Sequence, residues 1–353
     1  MKHQNMIRFA LAILLALLLA AAVGCTPADT PDVPGSTGTT EAPGTTGAPV
    51  TDEPTEQPDP DVPGYTYTVL GSEATITGYT GEDKDLVIPK YAGGVRVTAI
   101  GTMAFSNNHT IESVTLPGSI TDTGMMSFFG CTALQKVVLG EGITSVARGS
   151  FNECSALREI VFPSTLVSID VVGFQGASSL TSVTFPASLH SIGYRAFANS
   201  GLVDVVLPEN CTVIGGGAFA NSRSLKFCTI LGAVTGISQD MFRECLALET
   251  VNLPMSVATI GEYAFYRCIS LKELDVGMTD YFCQFSLWGC SGLEKLYIHT
   301  TKMDRICQRT FAFTPKLKDI YYAGTMESWT GMRRIDDWNE SLPDITIHAD
   351  WQG

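Results

Sequence analysis

Ten cysteines and five histidines are the side chains of this 353-residue sequence with the widest chemical reach. Thiols can bridge one another, ligate soft metals or attack electrophiles, and imidazoles can carry protons or bind zinc. The spacing excludes most of that chemistry. Cys131, Cys154, Cys245, Cys268 and Cys290 fall in step with a period of 22 to 24 residues and not in Cys-x-x-Cys pairs. None of His3, His109, His190, His299 and His348 has a His or Cys partner at ligand spacing, so no metal site is expected. No Gly-x-Ser-x-Gly elbow or Walker loop occurs, and Gly215-Gly216-Gly217 is followed by neither Lys-Ser/Thr nor a long helical pattern. Asp336 and Asp337 are neighbours only along the chain, which does not make an acid–base pair. The expectation is a protein without catalytic residues or a cofactor, and not an enzyme.

Two readings of the cysteines follow. The slot of the five periodic cysteines is filled elsewhere by Asn108, Ala177, Ser200, Ser222 and Thr314, which fits small buried core residues. Alternatively, same-slot cysteines one turn apart could be stapled, because strand spacing of ~4.8 Å lies within the Cα range of a disulfide. Cys283 and Cys307 share a different slot in neighbouring repeats and are the best single candidate for a disulfide.

The elements that must position these residues are repeats. Phe105, Phe128, Phe151, Phe174, Phe197, Phe219, Phe242 and Phe265, then Leu287 and Phe311, succeed one another at 22 to 24 residues. Each is followed by the small residue, by an aliphatic such as Leu134 or Leu157, and by an alternating run such as Glu159-Ile160-Val161-Phe162-Pro163. One short strand per unit at this period predicts a β-rich repeat solenoid in which each unit buries its apolar side chains against the next. Pro117, Pro163, Pro186, Pro208 and Pro254 should mark strand ends. A glycine after the next aliphatic, as in Ile192-Gly193 and Ile260-Gly261, predicts a tight bend. The repeat from Tyr281 to Cys290 departs from the pattern, with Cys283, Ser286 and Leu287 for Gly, Ala and Phe, and a loosened or bent turn is expected there.

Alternate strand residues must face outward. One outward column reads Thr115, Val138, Val161, Thr184, Val206, Thr229, Asn252, Asp275, Tyr297 and Tyr321; the neighbouring column contains Phe227. A stripe holding Val138, Val161, Val206, Phe227, Tyr297 and Tyr321 has two explanations: strand propensity, or a contact face. If it binds, tyrosines with nearby carboxylates suit either a protein or a glycan ligand. Trp288, Trp329, Trp338 and Trp351 exposed in a row with the tyrosines would favour the glycan. The net charge of −14, from 22 basic and 36 acidic residues, argues against a nucleic-acid partner.

The first 24 residues read as a secretory signal: Lys2 and Arg8, then an uncharged run from Phe9 to Val23, shorter than the ~20 residues that span a bilayer. The small residues Ala22-Val23-Gly24 before Cys25 resemble the lipobox of bacterial lipoproteins. That resemblance implies cleavage before Cys25 and acylation of its thiol, making membrane lipid a partner and placing an exported protein on the cell membrane, facing the exterior or periplasm. Residues 25–64 then form a Thr/Pro/Gly-rich stalk, carrying eight acidic residues from Asp29 to Asp61 and no Lys or Arg, too poor in large apolar side chains to offset the entropy of ordering.

The repeat unit strand-Pro-x-x-Leu-x-x-Ile-Gly-x-x-Ala-Phe-x-x-Cys-x-x-Leu, fullest in Ile260-Gly261-Glu262-Tyr263-Ala264-Phe265-Tyr266-Arg267-Cys268, resembles the bacterial surface-antigen (BspA-like) class of leucine-rich repeats. The resemblance covers residues 65–353 and implies a right-handed coil of about ten units over 101–318, an N-terminal cap over 65–100 and a C-terminal cap over 319–353. It also implies a surface binding or adhesion protein that uses its concave face.

Overall fold

In the computed structural model the protein is described over residues 62–334, 338 and 344–353. Residues 1–61, which hold the expected signal, Cys25 and most of the stalk, lie outside these, as do Asp336 and Asp337.

The repeats wind as a β-solenoid of about twelve turns with almost no helix. The alternating runs form parallel strands stacked turn on turn. Asp85–Val87, Ser113–Leu116, Lys136–Leu139 and Glu159–Val161 make one sheet; Asp204–Leu207, Phe227–Ile230 and Thr250–Asn252 a second. Glu273–Asp275, Lys295–Ile298, Asp319–Tyr322 and Thr346–His348 make a third. In Lys136–Leu139, Val137 and Leu139 are buried while Lys136 and Val138 face out, the period-2 alternation the sequence requires. A second ladder, not expected from one strand per repeat, is built from two-residue strands at the aliphatic slot before the glycine. It comprises Ser145–Val146, Ser168–Ile169, Ser191–Ile192 and Val213–Ile214, then Gly236–Ile237, Thr259–Ile260, Tyr281–Phe282, Arg305–Ile306 and Arg333–Arg334. Strands end at Leu116 and Leu207, directly before Pro117 and Pro208, which have no N–H to continue the ladder.

The core is a column of phenylalanines. From Phe105 to Phe265 each ring stacks on the next at 4.7 to 6.0 Å, within 1° to 19° of parallel. Burial of each ring contributes roughly 1.5–3 kcal/mol, and stacking about 0.5–1.5 kcal/mol more. The small-residue slot now has a physical reason. Cys131 Sγ donates to Phe105 O, Cys154 to Phe128 O, Cys245 to Phe219 O and Cys268 to Phe242 O, each at 3.1 Å, and Cys290 to Phe265 O at 3.0 Å. Ser222 Oγ does the same for Phe197 O at 3.0 Å. The slot takes a side chain small enough to fit the core, and where that side chain is Cys, or Ser as at Ser222, it also satisfies a buried carbonyl of the preceding turn; Ala177 shows that small size alone suffices. Burial pushes these thiols up, Cys131 and Cys290 to about 12.

The glycines open the turns that follow them, Gly193 O accepting from Ala196 N and Gly261 O from Ala264 N at 3.2 Å, but the turn is not what requires glycine. Gly193 and Gly261 lack the positive φ that a glycine-only bend would use; instead a Cβ on Gly193 would lie 2.6 Å from Asp170 C and Val171 N, and one on Gly261 2.6 Å from Ile237 O. Their role is close approach between turns. The left-handed positions lie elsewhere, two residues before and two after the core Phe, as at Arg195 and Asn199 around Phe197.

The departing repeat is not loosened. Tyr281 and Phe282 stay in register with Thr259 and Ile260 on one side and Arg305 and Ile306 on the other. Ser286, Leu287 and Cys290 are fully buried. Phe282, also fully buried, occupies the aliphatic slot with its ring 5.9 Å from Phe311, adding a core aromatic in the repeat where Leu287 stands for Phe. Outside, Tyr263 stacks on Phe285 at 5.0 Å and Tyr266 on Trp288 at 4.7 Å, with Phe313 meeting Trp288 edge-on at 4.9 Å.

The ends differ from the repeats. Tyr65–Leu70 pairs antiparallel with Glu73–Tyr79, and Tyr91–Ala92 antiparallel with Val95–Ile100. Near the other end, helix Met326–Gly331 is N-capped by Thr325, whose Oγ1 accepts from Ser328 N at 3.1 Å, and buries Trp329 against Tyr322.

Candidate functional site on the strand face

The strand ladder decides which side chains reach solvent, and it sorts the six candidates into three pairs. Val138 and Val161 are register partners in the first sheet, beside the cross-strand pair Lys136–Glu159 at 2.8 Å. Val206 and Phe227 stand on adjacent strands of the second sheet but not opposite each other: Val206 faces Thr229, and Phe227 faces Asp204. Val161, Val206 and Phe227 are 43%, 51% and 42% exposed, high for apolar side chains. Residues 181–186 form no strand, so the first two pairs belong to separate sheets.

Tyr297 and Tyr321 form the third pair, and here more converges than the sequence indicated. Their rings, in register on neighbouring strands, stack at 4.9 Å and 13°. His348, the next register partner, stacks on Tyr321 at 4.5 Å and 10°. Trp351 follows the last strand; its backbone N–H donates to Tyr322 O at 3.2 Å, and its indole lies across Tyr297 at 5.4 Å, His299 at 4.9 Å and Tyr321 at 5.9 Å.

Three carboxylates hold this aromatic group. Tyr297 donates its hydroxyl to Glu273 Oε2 at 3.3 Å, and Lys295 Nζ donates to Glu273 Oε1 at 2.9 Å. His299 Nε2–H donates to Asp275 Oδ2 at 2.9 Å, and His348 Nε2–H to Asp319 Oδ1 at 2.8 Å; the acceptor-only carboxylates place the proton on Nε2. Burial, and after it the Glu273 carboxylate, raises the Tyr297 phenol above the ordinary tyrosine value, so it remains a donor at neutral pH. A groove of about 660 Å³, lined in part by Glu249, Lys272, Glu273, Glu294 and Lys316, runs alongside and gives the site a charged margin. The site thus offers amphipathic rings fixed by their neighbours together with carboxylate acceptors.

The tryptophans do not form a row. Trp288 belongs to the outer stack, Trp329 is buried on Tyr322, Trp338 packs against Phe311, and only Trp351 joins the tyrosines. Cys283 and Cys307 are free thiols one turn apart. Among the described residues no cluster of His, Cys, Asp and Glu is placed to hold a metal ion, and no helix is long and apolar enough to cross a membrane. Sequence reasoning missed His299 and His348 as site members, and named Trp351 only as one of four tryptophans that could line up with the tyrosines. The alternation that singled out Tyr297 also faces Asp275 outward, but nothing local marks Trp351.

Fold and repeat together define a leucine-rich-repeat solenoid. The chain belongs to the BspA type leucine rich repeat region family, whose pattern matches residues 98–226 and 212–331 in six copies. It is similar to a leucine rich cell surface protein of Faecalibacterium prausnitzii A2-165, at 22% identity over 77% of this chain and 96% of that one, TM-score 0.41. It is also similar to the T. pallidum leucine rich repeat protein, at 26% identity over 59% of this chain and 88% of that one, TM-score 0.46. The pneumococcal vaccine antigen PcpA aligns at 18% identity over 82% of this chain and 92% of that one, TM-score 0.39. No curated protein matches the chain.

Proposed function

We propose that the protein is an exported, non-catalytic surface protein, acylated at Cys25, that uses its strand face to bind a protein partner in adhesive contacts. The observation that carries this reading is the group of Tyr297, Tyr321, His348 and Trp351, half-buried and braced by Glu273, Asp275 and Asp319. Aromatic rings held rigid at low entropic cost, with a polar margin, are the usual anchors of protein interfaces. Val161 in the first of the strand sheets and Val206 and Phe227 in the second add further exposed apolar side chains. In this reading residues 1–24 direct export, 25–64 hold the solenoid away from the lipid, and the end pieces 65–100 and 319–353 cover the terminal turns, which would otherwise expose apolar surface and strand edges. A carbohydrate or cell-wall polymer is the second reading. It is favoured by the Trp351 indole lying beside carboxylate acceptors suited to hydroxyl groups, and opposed by the dispersal of the other tryptophans. Binding to parallel panels of extracellular proteins and glycans, compared with a Tyr297→Ala/Tyr321→Ala variant, separates the two. Mass spectrometry of the native N-terminus tests the anchor: an unacylated peptide running through Cys25 would contradict it.

A further inference from the structure

Three sets of cysteines occupy the same slot on consecutive turns: Cys131 with Cys154, Cys245 with Cys268 and Cys290, and Cys283 with Cys307. The first two sets are fully buried, and every thiol in them is engaged with a core phenylalanine carbonyl at 3.0 or 3.1 Å. Neither solvent nor a redox partner reaches them. Cys283 and Cys307 stand outside that arrangement. They directly follow the register pairs Tyr281–Arg305 and Phe282–Ile306. Cys283 N donates to Ile260 O at 2.9 Å and Cys307 N to Phe282 O at 3.0 Å, equivalent bonds to the preceding turn in each case. Adjacent positions of a parallel ladder lie ~4.8 Å apart, inside the Cα range of a disulfide. Cys283 is only half-buried; Cys307 is buried but not sealed, at 7% exposure, and its Sγ donates only a long bond, 3.6 Å, to the Tyr281 hydroxyl.

We infer that Cys283 and Cys307 are a modification site: in an oxidising compartment they form a disulfide that joins two consecutive turns at the departing repeat. Such a bond reinforces the turn in which Leu287 interrupts the phenylalanine column. The step is thiol–disulfide exchange with a small-molecule or protein disulfide. The Cys283 thiolate attacks one sulfur of the donor and displaces a donor thiolate. The Cys307 thiolate then attacks the Cys283 sulfur and displaces the second. Two protein thiols are oxidised, one donor disulfide is reduced to two thiols, and the protons lost by the protein are taken up by the departing thiolates.

The test equilibrates the full chain with mixtures of oxidised and reduced glutathione, alkylates the remaining thiols, and digests with trypsin without reduction. The expected product joins peptide Glu273–Lys295 to peptide Ile306–Arg309, and the intact chain is lighter by two hydrogens. Because Glu273–Lys295 also contains Cys290, fragment ions must assign the bond to Cys283. Linkage should be lost in Cys283→Ser and in Cys307→Ser. Alkylation of both thiols across the whole redox range, or fragment ions that assign the bond to Cys290, would overturn the inference.

Discussion

The rings of Tyr297 and Tyr321, one turn apart in the solenoid, stack at 4.9 Å, while the Tyr297 hydroxyl is tied to Glu273 at 3.3 Å. Rotamer freedom is therefore lost in the folded protein before any ligand arrives, which lowers the cost of binding. The same ladder register that builds the core thus orders the candidate surface.

The small-residue slot should discriminate by hydrogen bonding and volume. Cys245→Ser keeps a donor to Phe219 O, as Ser222 does for Phe197 O, and should cost no more than about 1 kcal/mol. Cys245→Val removes the donor and adds bulk to a fully buried position, for about 1–3 kcal/mol. Urea denaturation of both variants measures the difference; equal costs would remove the carbonyl bond from the account.

Glycine positions should respond to space. Gly193→Ala places a Cβ 2.6 Å from backbone atoms of the preceding turn and should destabilise the protein. Gly331→Ala meets nothing within 4 Å at the end of helix Met326–Gly331 and should be neutral or stabilise by about 0.5–1 kcal/mol. Thermal melts of the pair give the sign of each effect.

Alkali should unfold the solenoid earlier than its charge alone would suggest. Burial raises the folded-state value of Cys131 and Cys290 from 9.0 to about 12, so between those pH values the unfolded chain has lost protons that the folded chain retains. Stability from these thiols is complete below pH 9 and is lost as pH rises toward about 12. Melts from pH 7 to 11 should show the decline, and Cys131→Ser with Cys290→Ser should make it shallower without abolishing it, since burial raises the other core thiols too.

The repeat was legible because it is written into residue type: phenylalanines at a fixed period and alternating runs ending at Pro117 or Pro208 dictate stacked turns. The second ladder was not, because two-residue strands such as Ser191–Ile192 are too short to leave an alternation. Gly193 could be read as special but not for which reason, since bend and close approach both require glycine. At the candidate site, Tyr297 and Tyr321 could be placed by counting along repeats. Trp351 could not, because its position follows from backbone bonds of the C-terminal segment to Gly324 and Tyr322 and not from any period.

The outer stack should support the repeat that lacks a core phenylalanine. Trp288→Ala removes contacts to both Tyr266 and Phe313 and should speed proteolysis of the turns around Leu287 relative to the wild type. Unchanged cleavage would mean that the outer stack does not support that turn.

The most direct test of the strand-face account is equilibrium binding of the full chain to extracellular protein and glycan panels, in parallel with a folded Tyr297→Ala/Tyr321→Ala variant. The account predicts saturable binding to a protein ligand, weakened at least about tenfold in the variant, as expected when two central aromatic anchors are truncated. Saturable binding that the variant retains in full would contradict it and move the contact surface off the tyrosine ladder.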